Sequence, residues 1–332
     1  MQTNRRDFLQ YSAAALSIPS LMGAGLAQAQ TQASVEVLKI ITGFAAGGTS
    51  DTVCRRVADG LRGLYARSAL VENRTGAGGQ IAITSVKASP ADGTVMLQTP
   101  ASMLTIYPHI YKKLQYDPFK DLVPVSMACT FEFALAVGPA VPASITNVPE
   151  FLAWVKANPT NANFGSPAAG STPHFTAEML ARAGQVSMRH LPYRGTQPAI
   201  LDLTGGQIAS VSGPIGDFLP HLAGGRVRLL GVSGAKRSRF APQTPTFAEQ
   251  GLKDVVTDEW FAFYMPAGTP PDIVQRANAA LRTALAKPEV IDGLSAMGLE
   301  AKSSSQAELL DMQRRDTERW GPIVKAVGFT AD

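Results

Sequence analysis

Short apolar runs alternate with stretches whose apolar positions recur at helical spacing, and this continues over most of the chain. Residues 35–41, 69–72, 95–99 and 134–137 read as strands, with 226–232 and 261–265 as buried ones. Residues 51–65, 79–88 and 149–158 read as helices, as do 271–286, 288–297 and 306–327. Such alternation predicts an α/β fold with mainly parallel sheets. No repeat of fixed period is present.

The passage from the first strand to the first helix carries the sharpest chemistry. Leu38 to Thr42 gives way to Gly43-Phe44-Ala45-Ala46-Gly47-Gly48-Thr49-Ser50-Asp51, and then Val53, Val57 and Leu61 follow at helical spacing. Gly47 and Gly48 permit close approach of a ligand to the backbone, with a positive φ expected at Gly48. The helix behind them starts with unpaired N–H groups and partial positive charge, so the turn suits an anion. Gly43 to Ser50 nearly matches a phosphate-binding loop, but Thr49 stands where that motif needs its lysine. A carboxylate fits such a site better than a triphosphate.

The first thirty residues change the compartment. Arg5-Arg6-Asp7-Phe8-Leu9 is a twin-arginine pattern, Tyr11 to Leu26 is mildly apolar, and Ala27-Gln28-Ala29 supplies a cleavage site before Gln30. Residues 1–29 therefore read as an export signal, and the mature chain is expected in the periplasm. The apolar run is too short and too interrupted to be a permanent membrane span. About 300 residues remain, enough for two domains.

Composition narrows the class further. Hydrophobic residues make up 45% and charged ones 17%, as expected of a packed globular protein. The net charge of +4 falls to +3 when Arg5, Arg6 and Asp7 leave with the signal. No segment is densely basic, so nucleic acid is not an expected partner. Cys54 and Cys129 are the only cysteines. Both fall in apolar surroundings and are expected as buried thiols, with pairing left open. Four scattered histidines give no metal spacing, and no cofactor is expected.

Two crossings suggest the domain plan. Asp117 to Val125 leads into an apolar run ending at Val137, and Asp258 to Pro266 forms a matching return. The expected division is 30–132 with 259–332 as one domain and 133–258 as the other. The inserted segment contains a second loop of the first one's kind. Asn163 to Phe175 includes Gly165-Ser166 and Gly170-Ser171-Thr172-Pro173-His174, before a helical pattern through Met179 and Leu180. Ser171 or Thr172 can cap that helix, with Pro173 in its first turn. One anion-receptive helix start per domain implies a carboxylate held between domains, outside the carboxyl ends of the strands.

These segments together resemble the substrate-binding receptors of tripartite tricarboxylate transporters, the Bug-type proteins. The resemblance is carried by the loop 44–51, by Val71-Glu72-Asn73-Arg74 with Gly76 to Gly79, and by Ala88-Ser89-Pro90-Ala91-Asp92-Gly93. It continues in Tyr116-Asp117-Pro118, the 164–174 loop, His190-Leu191-Pro192-Tyr193-Arg194-Gly195 and Gly205-Gly206-Gln207. Ala223 to Arg228, Pro245 to Glu249 and Pro266-Ala267-Gly268-Thr269-Pro270 complete the set. Gly43 and Thr75 stand where the family commonly has proline, and the twin-arginine leader is less usual than a general secretory one.

The resemblance implies a type II-like, two-domain periplasmic binding protein that closes like a hinged trap on a small carboxylate. Di- and tricarboxylates, amino acids and aromatic acids are the implied ligands, and the membrane components of the transporter are the implied partner of an expected monomer. By position it implicates Ala46, Gly47, Gly48, Thr49 and Asp51 in the first domain, and Ser166, Gly170, Ser171, Thr172 and His174 in the second. Ser102 and Asp217 are further candidates. Asp51 serves equally well as a helix cap; His174 suits packing as well as contact. Tyr193 and Arg194 are placed to line the cleft, although solvent is the commoner place for a lone arginine such as Arg194, whereas Trp260 reads as core.

Two other classes compete. An enzyme would want an activated nucleophile or an acid–base pair; no G-x-S-x-G elbow occurs, and Asp51 with His174 is the one nameable pair. A sensor partner of a two-component kinase would share every feature of a transport receptor.

Overall fold

Ten strands and eleven helices carry the alternation in the computed structural model, which describes residues 35–331. The expected export signal lies outside the described residues. In chain order the elements begin with β1 (Val35–Thr42), α1 (Thr49–Leu61), β2 (Ala66–Asn73), α2 (Gln80–Lys87) and β3 (Val95–Pro100). Next are α3 (Ser102–Thr105), α4 (Tyr107–Ile110), β4 (Leu122–Val137), α5 (Val148–Ala157), β5 (Asn163–Ser166) and α6 (Thr172–Ala183). After them come β6 (Arg189–Pro192), α7 (Thr196–Thr204), β7 (Ser210–Pro214), α8 (Ile215–Leu222) and β8 (Arg228–Val232). The chain closes with β9 (Asp258–Pro266), α9 (Pro271–Leu285), α10 (Pro288–Ser295), β10 (Glu300–Ala301) and α11 (Gln306–Val327).

Local chemistry sets the ends. Val53, Cys54, Val57 and Leu61 form the buried stripe of α1. That helix stops at Leu61, short of the expected Tyr65, because Arg62 turns extended and Gly63 takes a φ of 77°. Tyr65 instead anchors the next turn by donating its hydroxyl to the Gly93 carbonyl at 2.9 Å. Asn147 caps α5 through the Glu150 N–H, and Ser305 with Glu308 forms a capping box on α11.

The strands run in the order β2-β1-β3-β9-β4-β7-β5-β6, with β8 and β10 also on β4. The outer pairs, β1 with β2 and β3 and β5 with β6 and β7, are parallel. Every antiparallel pair involves β4 or β9. These two long strands run in opposite directions between the halves of the sheet. Residues 122–132 of β4 pair with β9, while Phe133 to Val137 pair with β7 and β8.

Apolar burial follows the same division. Leu38, Val57, Met96 and Leu281 belong to one core on the β1 side, and Ile83, Leu104, Tyr264 and Trp320 to another. Leu135, Phe151, Phe164 and Leu180 pack together on the β5 side, as do Ile200, Val211 and Phe218. Cys54 and Cys129 are buried free thiols in the first of these cores. Phe175 of α6 reaches across to Trp320 of α11, ring centroids 5.7 Å apart. Trp260 is core, its Nε1 donating to Asp316 at 2.7 Å.

Candidate functional site

The carboxyl ends of β1, β3, β5 and β7 lead into helices whose first residues meet at one cleft. Gly48, Thr49 and Ser50 start α1, Ser102 starts α3, and Ser171 and Pro173 belong to the start of α6. Gly195, Thr196 and Gln197 begin α7, and Pro214 and Asp217 belong to the first turn of α8. Phe131, Phe133, Glu259 and Phe261 from β4 and β9 form the floor, and Phe44, Pro100 and Pro167 add apolar walls. About 510 Å³ of non-atom space, open solvent included, lies within the cleft. Among the described residues no lysine, arginine or histidine lines it.

Two buried carboxyl groups face this space. Oδ1 of Asp217 accepts the Thr49 N–H at 2.9 Å, reaching from α8 to the start of α1. Burial pushes its pKa up to about 6, against hydrogen bonds from Thr196, Thr49 and Gln197 that work to lower it. Oε1 of Glu259 accepts the Ser102 N–H at 2.7 Å. Burial likewise lifts Glu259 to about 7, over the opposing bonds from Ser102 and Thr172. Thus protein carboxyls already accept from the helix starts assigned to a ligand's carboxylate.

Gly216 explains how Asp217 arrives there. A Cβ at this glycine would sit 1.5 Å from the Met297 carbonyl oxygen, so α8 lies against the 297–298 turn backbone to backbone. Only a residue without Cβ permits that approach.

Five of the residues expected at the site line the cleft: Gly48, Thr49, Ser102, Ser171 and Asp217. The other seven do not, and their bonds show why. Ala46 and Gly47 are exposed. The N–H of Gly47 donates to Oδ2 of Asp51 at 3.0 Å, and Arg55 Nε donates to the same oxygen at 2.9 Å. Asn73 supplies Oδ1 of Asp51 at 3.0 Å. Burial works to raise the Asp51 pKa, but these donors outweigh it and hold the group below its ordinary value. Asp51 therefore fixes the loop from behind. The positive φ expected at Gly48 belongs to Gly47, at 87°; Gly48 is extended with φ −84°.

The second loop is braced in the same way. Ser166 is fully buried, its hydroxyl 2.8 Å from His190 Nε2 and 3.1 Å from the Ala168 carbonyl. His174 accepts the Gly170 N–H on Nδ1 at 3.0 Å, which leaves its proton on Nε2, beside Glu178. Its ring stacks on His190 at 3.9 Å. Burial, with His174 as neighbour, pushes the His190 pKa down to about 3, so that ring is neutral. Thr172 is buried with its hydroxyl toward Glu259. Asp51 and His174, the nameable acid–base pair, both stand behind their loops and not in the cleft. Tyr193 bonds Asp202 at 2.7 Å and, with exposed Arg194, lines a separate crevice against Gly76 to Gly79.

Sequence reasoning missed Glu259, Thr196, Gln197 and the phenylalanine floor. A signal existed for Glu259, a carboxylate within a strand otherwise buried from residue 260 to 266. The floor was encoded in the Phe131, Phe133 alternation, whose partner Phe261 packs at 4.4 Å from Phe131.

Comparison with known proteins agrees with this geometry. Protein BugT of Bordetella pertussis is 29% identical over 292 residues, covering 88% of this chain and 89% of BugT. Rpa4515 of Rhodopseudomonas palustris, solved with adipate, superimposes with a TM-score of 0.84 at 28% identity, covering 90% of this chain and 98% of that one. MatC (Rpa3494) of the same organism, solved with bound malate, gives 0.81 at 27% identity over 87% and 99%. The two-domain α/β fold with a cleft between its halves is thus that of periplasmic binding proteins. Residues 53–329 match the profile described as tripartite tricarboxylate transporter family receptor, and the chain belongs to that family of receptors, which bind solutes and are not enzymes.

Proposed function

We propose that this chain is a periplasmic receptor that captures a small organic acid in the cleft and delivers it to the membrane components of a tripartite tricarboxylate-type transporter. The convergence of helix starts on one apolar cleft carries the reading. Four helices of eight or more residues, α1, α6, α7 and α8, direct their N-termini there. Each contributes roughly half a positive charge, which favours an anionic group without a basic side chain. The malate and adipate seen in two relatives support the ligand class.

Capture works by closure. Of the described residues, 35–132 with 259–331 form one moving half and 133–258 the other, joined through β4 and β9. A ligand touching both halves favours the closed arrangement by its differential affinity for it. The leader directs export by the twin-arginine route.

The test is native mass spectrometry of freshly purified mature protein, then thermal-shift screening of organic acids. A ligand at a hundred times its Kd should add about 2.7 kcal/mol of stability. Scattering should show a smaller radius of gyration with it. Catalytic turnover of a tight-binding acid, or no bound acid at all, would defeat the proposal.

A further inference from the structure

Two carboxyl groups stand in a cleft whose helix starts favour an anion. Asp217 and Glu259 both line it, and among the described residues no cationic side chain does. Each is buried, and each lends one oxygen to a backbone N–H, that of Thr49 or of Ser102. The groups facing Asp217 are uncharged: Thr49 at the start of α1, and Thr196 and Gln197 at the start of α7. Around Glu259 stand Ser102 of α3, Tyr107 of α4, Phe131 of β4 and Thr172 of α6, while Asp316 of α11 adds a further negative charge nearby. A carboxylate entering this space meets like charges where water screens them poorly. No side chain on the wall offsets them, but two protons would. A protonated carboxyl loses its charge, keeps an acceptor oxygen for its backbone N–H and gains an O–H donor.

We propose that Asp217 and Glu259 take up protons from solvent when the cleft captures a carboxylate, so that this receptor binds its ligand together with protons. The inference rests on the receptor reading and adds a coupling to it. In each group the proton settles on the carboxyl oxygen that does not hold the backbone N–H, and no other bond changes. Near neutral pH the change is already under way. With folded values of about 6 and about 7, Asp217 is about one-tenth and Glu259 about half protonated at pH 7 before any ligand arrives. Each proton taken up makes affinity fall about tenfold per pH unit above the group's own value, the linkage that ties ligand to proton.

Calorimetry tests this. Mature protein, freed of bound solute by unfolding and refolding, is titrated at pH 7 and pH 8 with malate, adipate, citrate and benzoate. HEPES and Tris differ in their heats of ionisation, so the difference in binding heat between them counts the protons. The tightest binder should bring in between about one and two protons at pH 8, and bind about tenfold or more weakly there than at pH 7. Asp217→Asn and Glu259→Gln keep an acceptor for the Thr49 and Ser102 N–H groups and mimic the protonated acids. Each alone should take up about one proton fewer at pH 8. The double variant should take up none and bind at least about tenfold tighter than the wild type at pH 8, which a merely structural role would not produce. If an acid binds without proton uptake, or uptake persists in the double variant, the inference falls while the receptor reading stands. If no acid binds at all, the reading and the inference fail together.

Discussion

Glu259 puts a measurable pH dependence into the ligand-free protein. Its folded pKa of about 7 stands above the ordinary 4.5, so the folded state holds a proton that the unfolded chain releases. The stability this confers is complete below about pH 4.5 and lost as pH rises through 7. The gap corresponds to about 3 kcal/mol, most of it between pH 5 and pH 8. Two other groups titrate nearby. Asp217, at about 6, acts with the same sign over a lower window, and His190, at about 3 against 6.5, loses stability as pH falls below 6.5. Both are common to the wild type and Glu259→Gln, so their difference isolates Glu259. The glutamine keeps the size and the acceptor for the Ser102 N–H. Urea unfolding of both proteins at pH 5 and pH 8 should show the wild type losing about 3 kcal/mol relative to the variant on going to pH 8. Profiles that stay parallel within about 0.5 kcal/mol would mean that Glu259 is ionised at no cost, and the account of its burial would be wrong.

Three substitutions probe the rest of the site. Gly216→Ala forces a Cβ against the Met297 carbonyl, and an overpacking cost of about 1–3 kcal/mol should weaken binding about tenfold to a hundredfold. Native circular dichroism with unchanged affinity would show that α8 need not seat on that turn. Gly48→Val adds branches beyond a Cβ position 3.7 Å from Asp217 Oδ1, so titration should show ligand affinity lost while the fold persists. Asp51→Ala removes the acceptor for Gly47, Arg55 and Asn73 and should cost about 2 kcal/mol in unfolding experiments at pH 7. Because the folded Asp51 pKa is depressed below 3.8, that difference should shrink as pH falls through it, the neutral carboxyl keeping only its weaker acceptor role.

What the sequence displayed and what it hid divide by the range of the interactions. The start of α1 was legible because glycines and the Val53, Val57, Leu61 spacing are neighbours in the chain. The long helices near the C-terminus were legible for the same reason, with Ser305 and Glu308 marking the start of α11. Strands β5 and β7 escaped because Asn163-Phe164-Gly165-Ser166 and Ser210-Val211-Ser212-Gly213-Pro214 are rich in small and polar residues. Buried throughout, such strands have no exposed face to alternate with. Only the last four residues of β4 show as strand in the sequence. Pro124 and the register shifts after Pro124 and Met127 interrupt the alternation of the earlier part.

The site divides along the same line, and the division has a functional consequence. The helix starts that face the cleft are local features, readable from glycines, serines and threonines. The buried carboxyls that face the cleft are not local: Asp217 meets Thr49 across 168 residues, and Glu259 meets Ser102 across 157. Asp51 and His174 looked chemically eligible because they sit inside the loops, yet a residue within a tight loop finds its partners in that loop first. Side chains free to face a ligand come instead from elements that arrive from elsewhere, here the first turn of α8 and the crossing strand β9. Loop motifs can therefore mark the cleft, while the carboxyl and phenylalanine side chains that line it come from α8, β4 and β9 and stand in no loop motif.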